Sequence, residues 1–300
     1  MVIVYYYDSV FMTPDSITAA NSAVSCCRTM AEYIMEDKIS NGFAIVRPPG
    51  HHSDVFSACG FCIFNNTSQA AEAVFNFGVD RILIVDFDMH HGQGTQRIYY
   101  EDKRVLYFSI HRYENGLFWP HLQESNFDHI GKGEGRGYTV NVLLNEIGCN
   151  DADYISMFWN VLWPLAVEFN PDFVVVSAGF DACLGDPIGE MNLSPDGYSH
   201  MIYQLKALGS GKLLMILEII DKLNETKLLN KCIVIKNGRS ASNVELEAVH
   251  DRPYIHRIRR TIMMSDEELR NEEISFDPIY LTRESFNIAT TAVGAVLQVN

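Results

Sequence analysis

The sequence predicts an α/β protein with a doubly wound parallel sheet. Apolar runs of strand length recur along the first 218 residues, and stretches of helical length lie between them, an alternation typical of this class. Several runs are apolar at consecutive positions, which indicates strands buried on both faces by flanking helices. In such a sheet, ligands bind beyond the carboxyl ends of the strands, so polar residues that follow strands are the first candidates for a site.

Each element follows from a local pattern. A run such as Ile82-Leu83-Ile84-Val85 is short, apolar throughout and rich in branched side chains, as a buried strand requires. In chain order, the predicted strands are Gly42 to Val46, Arg81 to Phe87, Val105 to Ile110, Tyr138 to Leu143, Phe173 to Ala178 and Lys212 to Leu217. The predicted helices between them are Ser16 to Met35, Ser68 to Phe77, Asp151 to Phe169 and Ser194 to Leu208.

Composition and charge indicate which kinds of binding partner this chain can have. The 300 residues, 47% hydrophobic and 20% charged, are enough for one large α/β domain or two small ones. A formal net charge of -15 disfavours electrostatic binding of nucleic acid, because phosphate affinity depends on clustered Lys and Arg. We therefore expect no direct nucleic-acid partner, whereas the acidity suits basic protein partners.

We expect neither a secreted protein nor a membrane protein. The opening run Val2 to Tyr7 is apolar, but Asp8 follows at once, so no signal peptide is expected. No stretch approaches the roughly 18 apolar residues of a membrane span. The seven cysteines are odd in number and scattered, which favours a reducing compartment, cytoplasmic or nuclear.

The pattern changes after Glu218. Strand and helix stop alternating, charge density rises through Glu245 to Glu284, and an apolar stretch of small residues, Ile288 to Val299, closes the chain. We therefore predict a catalytic domain over residues 1–218 and a divergent tail over residues 219–300, whose fold the sequence does not indicate.

The first candidate site is a cluster of acidic residues and a histidine after the strand Arg81 to Phe87. Asp86, Asp88 and His90 occupy alternate positions and so lie on one side of an extended chain. Two carboxylates and an imidazole are costly to bury unless a divalent cation compensates them. The alternative is a set of solvated loop residues. A lone Asp-x-Asp favours that alternative, and the added histidine favours the metal.

Two further clusters also follow strands. His51-His52 comes after the rigid Pro48-Pro49-Gly50 turn, where imidazoles that titrate near neutral pH suit general-base chemistry. Asp181 follows the strand Phe173 to Ala178 and is a candidate third metal ligand. Taken alone, a histidine pair is more often a chance surface pair, and Asp181 is equally a helix cap.

Together these motifs resemble the histone deacetylase family, with its arginase/deacetylase type of α/β fold. The motifs that carry the resemblance fall in the family's order from about Tyr7 to Glu218: Arg47 to His52, Gly60-Phe61-Cys62, Asp86 to Gly92, Ser109 to Tyr113 and Ser177 to Pro187. Trp119-Pro120-His121-Leu122 and Gly185 to Met191 look most like the first catalytic domain of the two-domain class IIb deacetylases.

The resemblance implies a catalytic centre. Asp88, His90 and Asp181 would bind Zn2+. His51 and His52 would be the general base and its electrostatic partner. Asp86 would orient His51, and Gln93 stands where the family places an Asp or Asn beside the second histidine. A neutral amide at Gln93 supplies no charge, so that contact would not raise the histidine's pKa.

The resemblance also implies substrate contacts and a second ion. Phe61, next to Gly60, and Trp119 look like the aromatic walls of an acetyl-lysine tunnel, and Ser9 like the residue that holds the substrate backbone. Ile188 stands where polyamine deacetylases carry an acidic gatekeeper, so an apolar residue there argues against polyamine substrates. The resemblance further implies a structural K+ held by Asp86, Asp88, His90, Ser109 and Ile110.

The implied reaction is zinc-dependent hydrolysis of acetyl-lysine in proteins, with histone or tubulin tails as substrates. One departure stands against full activity. The family binds the oxyanion with a tyrosine in a Leu-Glu-Gly-Gly-Tyr segment, whereas here Leu217-Glu218 is followed by Ile219-Ile220-Asp221. Loss of one oxyanion donor costs roughly a hundredfold to a thousandfold in rate. A pseudo-deacetylase that binds zinc and acetyl-lysine is therefore the alternative.

Other patterns carry less weight. The spacing Cys59-x-x-Cys62 occurs without a second pair, and the glycines between Gly131 and Gly137 lack a Gly-Lys-Ser/Thr ending. The basic run His256 to Arg260 is flanked by acidic residues, which favours a solvated face. An arginase-like dimanganese site would need ligands for a second metal. The ligands also accept Fe(II), so the metal's identity stays open.

Overall fold

The computed structural model describes residues 8–10, 12, 16–218 and 242–260. These residues divide into two compact units whose segments alternate along the chain. Unit 1 takes its described residues from Met1–Met30, Ala44–Glu72 and Ile216–Asn300, and unit 2 from Ala31–Phe43 and Ala73–Met215. Of the predicted tail 219–300, only residues 242–260 lie within the described part.

Six strands of the described chain form one sheet. They are β1 (Asn41–Ala44), β2 (Ile82–Asp86), β3 (Val105–Arg112), β4 (Thr139–Leu144), β5 (Phe173–Ala178) and β6 (Leu213–Leu217). Their order is β1-β6-β5-β2-β3-β4. β2 runs parallel to both neighbours, with Ile82 opposite Phe173 on one side and Val105 on the other. The non-consecutive order requires crossover connections, and it confirms the predicted parallel α/β fold.

Helices occupy the connections. They are α1 (Ser16–Met35), α2 (Asn66–Phe75), α3 (Gln93–Tyr99), α4 (Asp151–Met157), α5 (Trp163–Phe169), α6 (Pro195–Leu205), α7 (Asn243–Glu247) and α8 (Arg252–Arg260). α4 begins at a capping box: Asn150 Oδ1 accepts from Ala152 N, and Asp153 Oδ2 accepts from Asn150 N, both at 2.9 Å. The helix predicted over 151–169 is continuous except for a π-helical segment, Phe158–Leu162.

The core of unit 2 forms around the central strands. Every residue of β2, β3 and β5 is buried, which agrees with their runs of consecutive apolar residues. Leu83, Val85, Phe108, Val174 and Val176 pack in one cluster with residues of α4 and α6. Each such side chain contributes roughly 1.5–3 kcal/mol on burial.

Unit 1 contains a second core, built from α1, the loop before α2 and the helices of the tail. Its buried apolar residues are Val10, Met12, Ile17, Ala20, Val24, Ala58, Ile63, Phe64, Leu246, Tyr254 and Ile255. His250, between α7 and α8, is buried there as well. Its Nε2 accepts from Asn65 N at 3.0 Å, and its Nδ1 lies 3.1 Å from Asp54 O. Burial lowers the pKa of His250 to about 4.

The predicted elements agree with the observed ones to within a few residues, and α1 has the predicted bounds. The short helices α3, α7 and α8 were not predicted. Among the described residues, no helix has the length and apolar character needed to cross a membrane.

Candidate functional site

The sheet of unit 2 brings two ligand-bearing loops to the same edge. β2 ends at Asp86 and β5 at Ala178, and Asp86 lies opposite Ser177 in their parallel register. Both strands therefore end at the same edge, and the loops to His90 and to Asp181 both start there. This is the edge at which parallel sheets bind ligands.

Three side chains converge in these loops. Donor atoms of Asp88, His90 and Asp181 all lie within 4.8 Å of one another. His90 Nδ1 lies 3.2 Å from Asp88 Oδ1 and 2.8 Å from Asp181 Oδ2. Asp88 and Asp181 are buried, and His90 is partly buried. The structure therefore groups the three residues that the sequence proposed as metal ligands.

The three groups interact strongly. Burial favours the neutral form of His90, but the hydrogen bonds that its Nδ1 donates to Asp181 and Asp88, together with their negative charges, outweigh burial and raise the pKa of His90 to about 10. Burial raises the pKa of Asp181, but the hydrogen bond and charge of His90 together with the hydrogen bonds from Met89 N and with Asp88 outweigh that effect, so the pKa is lowered overall. A cation beside these carboxylates is thus strongly stabilised, whether it is an imidazolium or a metal ion.

Backbone amides fix the carboxylates. Asp181 Oδ1 accepts from Met89 N at 2.9 Å, and Asp88 Oδ1 accepts from His90 N at 2.8 Å. Asp86 Oδ1 accepts from Asp88 N at 3.2 Å. Each ligand loop therefore holds the other in place, and the site is preorganised by the main chain.

Two glycines allow the loops to approach so closely. A Cβ on Gly179 would lie 2.2 Å from Asp88 Oδ2 and 2.5 Å from Asp88 Cα. A Cβ on Gly189 would lie 1.8 Å from the carbonyl oxygen of Asp181. A side chain at either position would displace a ligand-bearing loop.

The residues fit a divalent metal. Two buried carboxylates without a counter-charge would be costly, and a divalent ion compensates them more fully than one imidazolium. Carboxylate oxygens with one imidazole nitrogen form a donor set that Zn2+ accepts, with open positions for other ligands. Fe(II) accepts the same donors.

Asp86 belongs to the same edge. It is fully buried, and its Oδ2 lies 3.1 Å from the Tyr107 hydroxyl, which also lies 3.1 Å from Gly92 O. Burial and the neighbouring Asp86 charge raise the pKa of Tyr107 far above its usual value, so Tyr107 stays a neutral donor. The predicted orientation of His51 by Asp86 stays a prediction.

Aromatic side chains surround His90. The Phe118 ring stacks on it with centroids 5.1 Å apart, and the Trp119 ring meets it edge-on at 5.8 Å. Ile188 lies in a turn in which Asp186 Oδ1 accepts from Ile188 N at 2.9 Å and from Gly189 N at 2.7 Å. Ile188 is 62% exposed, as a residue at a rim would be.

The histidine pair lies in unit 1. The rings of His51 and His52 have centroids 3.8 Å apart, and both residues are buried. Glu218 Oε2 accepts from Gly50 N at 2.7 Å and lies 3.4 Å from His51 N. Cys62 Sγ accepts from His52 N at 3.4 Å. The pair therefore sits in a fixed buried turn and is no chance surface pair.

Other predicted substrate contacts also meet in unit 1. Phe61 N donates to Ser9 O at 2.7 Å, and Gly60 N donates to Asp8 O at 2.8 Å. Ser9 and Phe61 adopt left-handed backbone conformations, with φ of 53° and 68°. Such strain in residues other than glycine is typical of functional segments.

The remaining predicted residues are placed as follows. Gln93 is buried at the start of α3, and Ser109 and Ile110 are buried within β3. The proposed K+ site at these strand residues stays a prediction. Asp221, which replaces the family tyrosine in the sequence, lies outside the described residues.

The fold and the donor set define a class of protein: an α/β protein with a group of side chains fit to bind a divalent metal at the carboxyl edge of a parallel sheet. Sequence comparison names the family within that class. The family model of the histone deacetylase domain matches residues 3–218 and 216–300, so the chain belongs to the histone deacetylase family. The second match begins where we place the domain boundary, and that division stays a prediction.

Curated relatives and solved structures agree with this assignment. Histone deacetylase 6 of Caenorhabditis elegans is 63% identical over 241 residues, which cover 80% of this chain and 25% of that protein. Polyamine deacetylase HDAC10 of Rattus norvegicus is 47% identical over 213 residues, which cover 71% of this chain and 36% of that protein. The chain thus spans about a quarter to a third of these relatives' length.

Two solved structures share the fold. The HDA15 HD domain superposes with a TM-score of 0.67 at 39% identity and covers 84% of this chain and 69% of that one. The histone deacetylase Clr3 superposes with a TM-score of 0.59 at 35% identity and covers 79% of this chain and 40% of that one.

Sequence reasoning missed two residues of the site. Arg112 stood inside the motif Ser109 to Tyr113 without a role, and Glu218 served only to mark the end of the family pattern. The sequence offered only a charged residue at the end of each apolar strand, since β3 ends at Arg112 and Glu218 directly follows β6, and their burial is seen in the structure.

Proposed function

We propose that the chain is a zinc-dependent deacetylase that hydrolyses the amide of acetyl-lysine in proteins. The observation that carries this proposal is the convergence of Asp88, His90 and Asp181 in a chain of the histone deacetylase family. Histone or tubulin tails are the substrates we propose, since the acidic chain suits basic partners.

Bound Zn2+ supplies a Lewis acid that polarises a carbonyl and makes a coordinated water more acidic. The chain's own residues hold and move the proton. In this proposal His51 and His52 accept it from water and return it to the leaving lysine amine, because imidazole titrates near neutral pH. Asp86 orients the His51 ring, and Gln93 supplies a neutral hydrogen bond. A structural K+ at the end of β2 and in β3 is part of the same proposal.

The proposed substrate is acetyl-lysine and not an acetylated polyamine. Polyamine deacetylases are among the relatives by name. Ile188 is apolar and exposed, so it offers no negative charge to a polyamine cation. Discrimination of a cationic ligand needs such a charge or a cation–π contact.

A second candidate is a chain that binds zinc and acetyl-lysine with little turnover. The sequence observation that favours it is Asp221 in the place of the family tyrosine. A carboxylate there would repel developing negative charge where the family places a hydrogen-bond donor.

The test compares initial rates of the zinc-loaded full chain on a fluorogenic acetyl-lysine peptide and on acetylspermidine. We expect peptide turnover in the wild type, none in Asp88→Asn, and wild-type turnover in Asp128→Asn, whose carboxylate is exposed beside His129. Faster turnover of acetylspermidine would contradict the substrate assignment.

The variant Asp221→Tyr separates the two candidates. The impaired candidate is established if the wild type binds zinc, turns over the peptide no faster than Asp88→Asn, and gains activity in Asp221→Tyr. Wild-type turnover that Asp221→Tyr does not raise shows that the tyrosine is dispensable here.

A further inference from the structure

Arg112 ends β3 as a buried guanidinium whose contacts join separate loops. Its side chain is only 9% exposed. Its Nη1 donates to Ile188 O at 2.9 Å and to Gly189 O at 3.2 Å, and lies 3.0 Å from Glu190 Oε2. Its Nε and Nη2 both contact Glu114 Oε1. One side chain therefore ties the loop after β3 to the loop that carries Ile188.

Both acidic partners of Arg112 have strained backbones. Glu114 has φ of 48° and Glu190 has φ of 52°, in the left-handed region that residues other than glycine rarely adopt. Such conformations persist only where surrounding contacts impose them. An ion pair from Arg112 reaches each of them, so the guanidinium supplies that restraint at two separate corners of the chain.

The same guanidinium also connects to the metal ligands. It lies over the Phe118 ring at 4.4 Å, and Phe118 in turn stacks on His90. The backbone N of Arg112 donates to Met89 O at 2.9 Å, between the ligands Asp88 and His90. Arg112 thus contacts Phe118, the loop that carries Ile188 and the backbone between the two ligands Asp88 and His90.

We propose that Arg112 is a positioning residue that fixes the substrate-facing rim of the site, defined here as residues 114–119 and 186–190. It holds the two left-handed corners, Glu114 and Glu190, and thereby places Phe118 and Ile188 for the incoming acetylated side chain. This inference rests on the proposed deacetylase function. The planar guanidinium of an arginine carries several donors in a fixed geometry, and a lysine ammonium cannot make the same set of contacts to the rim.

Arg104 provides a matched control within the same unit. Its guanidinium pairs with both oxygens of Asp102, with the shortest contact at 2.6 Å, and lies over the Phe75 ring at 4.1 Å. It therefore repeats the carboxylate pair and the ring contact of Arg112 with partners, Asp102 and Phe75, that lie outside the rim. The side chain of Arg104 is 48% exposed.

The first measurement is hydrogen exchange of the full chain, followed by mass spectrometry, for Arg112→Lys, Arg112→Met and Arg104→Lys. We expect exchange in residues 114–119 and 186–190 to become about tenfold faster in both Arg112 variants, because the restraint on these segments is lost. Exchange elsewhere stays at the wild-type level, and Arg104→Lys leaves the rim unchanged.

The second measurement is steady-state kinetics on the acetyl-lysine peptide at equal zinc occupancy. The rim binds the substrate equally in the ground state and in the transition state. Loss of its geometry therefore weakens substrate binding, so KM rises about tenfold while kcat stays within about threefold of the wild-type value. A residue that only stabilised the fold would lower the active fraction, and hence kcat, without changing KM.

If the Arg112 variants do not fold, Glu190→Gln tests the same contact from its other side. The Glu190 side chain is 50% exposed, so this substitution should leave the fold intact. We expect its faster exchange to be confined to residues 186–190. Rim exchange at wild-type rates in the folded variants, or faster exchange throughout unit 2, overturns the inference. The two proposals can fail separately. If the wild type shows no turnover but its rim is protected from exchange, and exchange in the rim becomes faster in Arg112→Lys, then only the proposed function is contradicted.

Discussion

Glu218 holds the backbone of Gly50, the residue that precedes the two histidines. Its Oε2 accepts from Gly50 N at 2.7 Å, although the residues are 168 positions apart in sequence. Glu218 is only 4% exposed. The histidine turn is therefore fixed by a carboxylate at the end of β6 and not by local sequence alone.

Loss of that carboxylate should loosen the turn. Glu218→Ala leaves the buried Gly50 N–H without its acceptor, so we expect the free energy of unfolding to fall by about 1–3 kcal/mol and turnover to fall with it. Glu218→Gln keeps an acceptor oxygen and should lose less of both. Urea unfolding and the peptide assay measure the two effects.

Glu247→Ala is the control for this pair of variants. Glu247 pairs with Arg252 at the surface of the same unit, at 3.0 Å. Removal of an exposed ion pair should change stability by less than about 1 kcal/mol. A loss in Glu218→Ala no larger than that of Glu247→Ala would show that the contact to Gly50 is dispensable.

Metal binding should depend on Asp181. In Asp181→Asn, one negative charge of the buried triad is lost and His90 loses a charged partner. We expect zinc affinity to fall by at least about 100-fold, since even residues behind the ligands cost 10–100-fold when changed. Competition with a chromophoric chelator measures the affinity. Asp128→Asn changes an exposed Asp–His pair that lies outside the triad of candidate ligands, so this variant should bind zinc like the wild type.

Gly179 should be intolerant of any side chain. The Cβ of Gly179→Ala would overlap Asp88 at both its carboxylate and its Cα, so the ligand loop must move. We expect a loss of about 1–3 kcal/mol in stability together with weaker zinc binding. Thermal unfolding with and without zinc separates the two effects, because the stabilisation by zinc should shrink.

Gly197→Ala tests whether crowding alone explains that result. Its Cβ would meet the side-chain atoms Asp151 Oδ1 at 2.5 Å and Leu193 Cδ1 at 2.7 Å. It should destabilise unit 2 but leave the stabilisation by zinc intact. Equal loss of zinc stabilisation in both variants would contradict a specific role for Gly179.

The sheet was predictable because its signals are local, and the resemblance to the family then singled out the three candidate metal ligands. β2 and β5 are buried on both faces, so they appear as uninterrupted apolar runs, and the ligands follow directly at their carboxyl ends. The contacts of Glu218 and Arg112 were not predictable. Each joins loops distant in sequence, and a single charged residue at a strand end carries no sign of its partner.

The tail was harder to interpret. Part of the tail forms α7 and α8 and packs in the core of unit 1. Its few apolar residues lie among charged ones, so the sequence shows no clear apolar pattern there. The end of the chain also repeats a residue pattern of its beginning. Asp8, Thr13, Ser16, Ala20, Ala23 and Val24 recur at the same spacing as Asp277, Thr282, Ser285, Ala289, Ala292 and Val293. This likeness accords with the family's match to residues 216–300.

Protonation of His250 in acid should lower the free energy of unfolding, because this histidine packs between the tail helices α7 and α8 and the rest of unit 1. The neutral imidazole accepts from Asn65 N and contacts Asp54 O, and burial lowers its pKa from 6.5 to about 4. The unfolded chain takes up a proton below pH 6.5, whereas the folded chain resists it until about pH 4. The stabilising contribution is therefore complete above pH 6.5 and is lost as the pH falls towards 4, by about 3 kcal/mol.

Urea unfolding at pH 7.5 and pH 4.5 measures this dependence. His250→Gln removes the titrating group, so its stability should fall less between the two pH values than that of the wild type. Phe64→Leu loosens the ring packed against His250 at 5.0 Å but leaves the imidazole in place. That variant should lose similar stability at both pH values. If His250→Gln retained the full wild-type dependence, the acid sensitivity would have to come from other buried groups, among which His111 has a pKa lowered by burial to about 4.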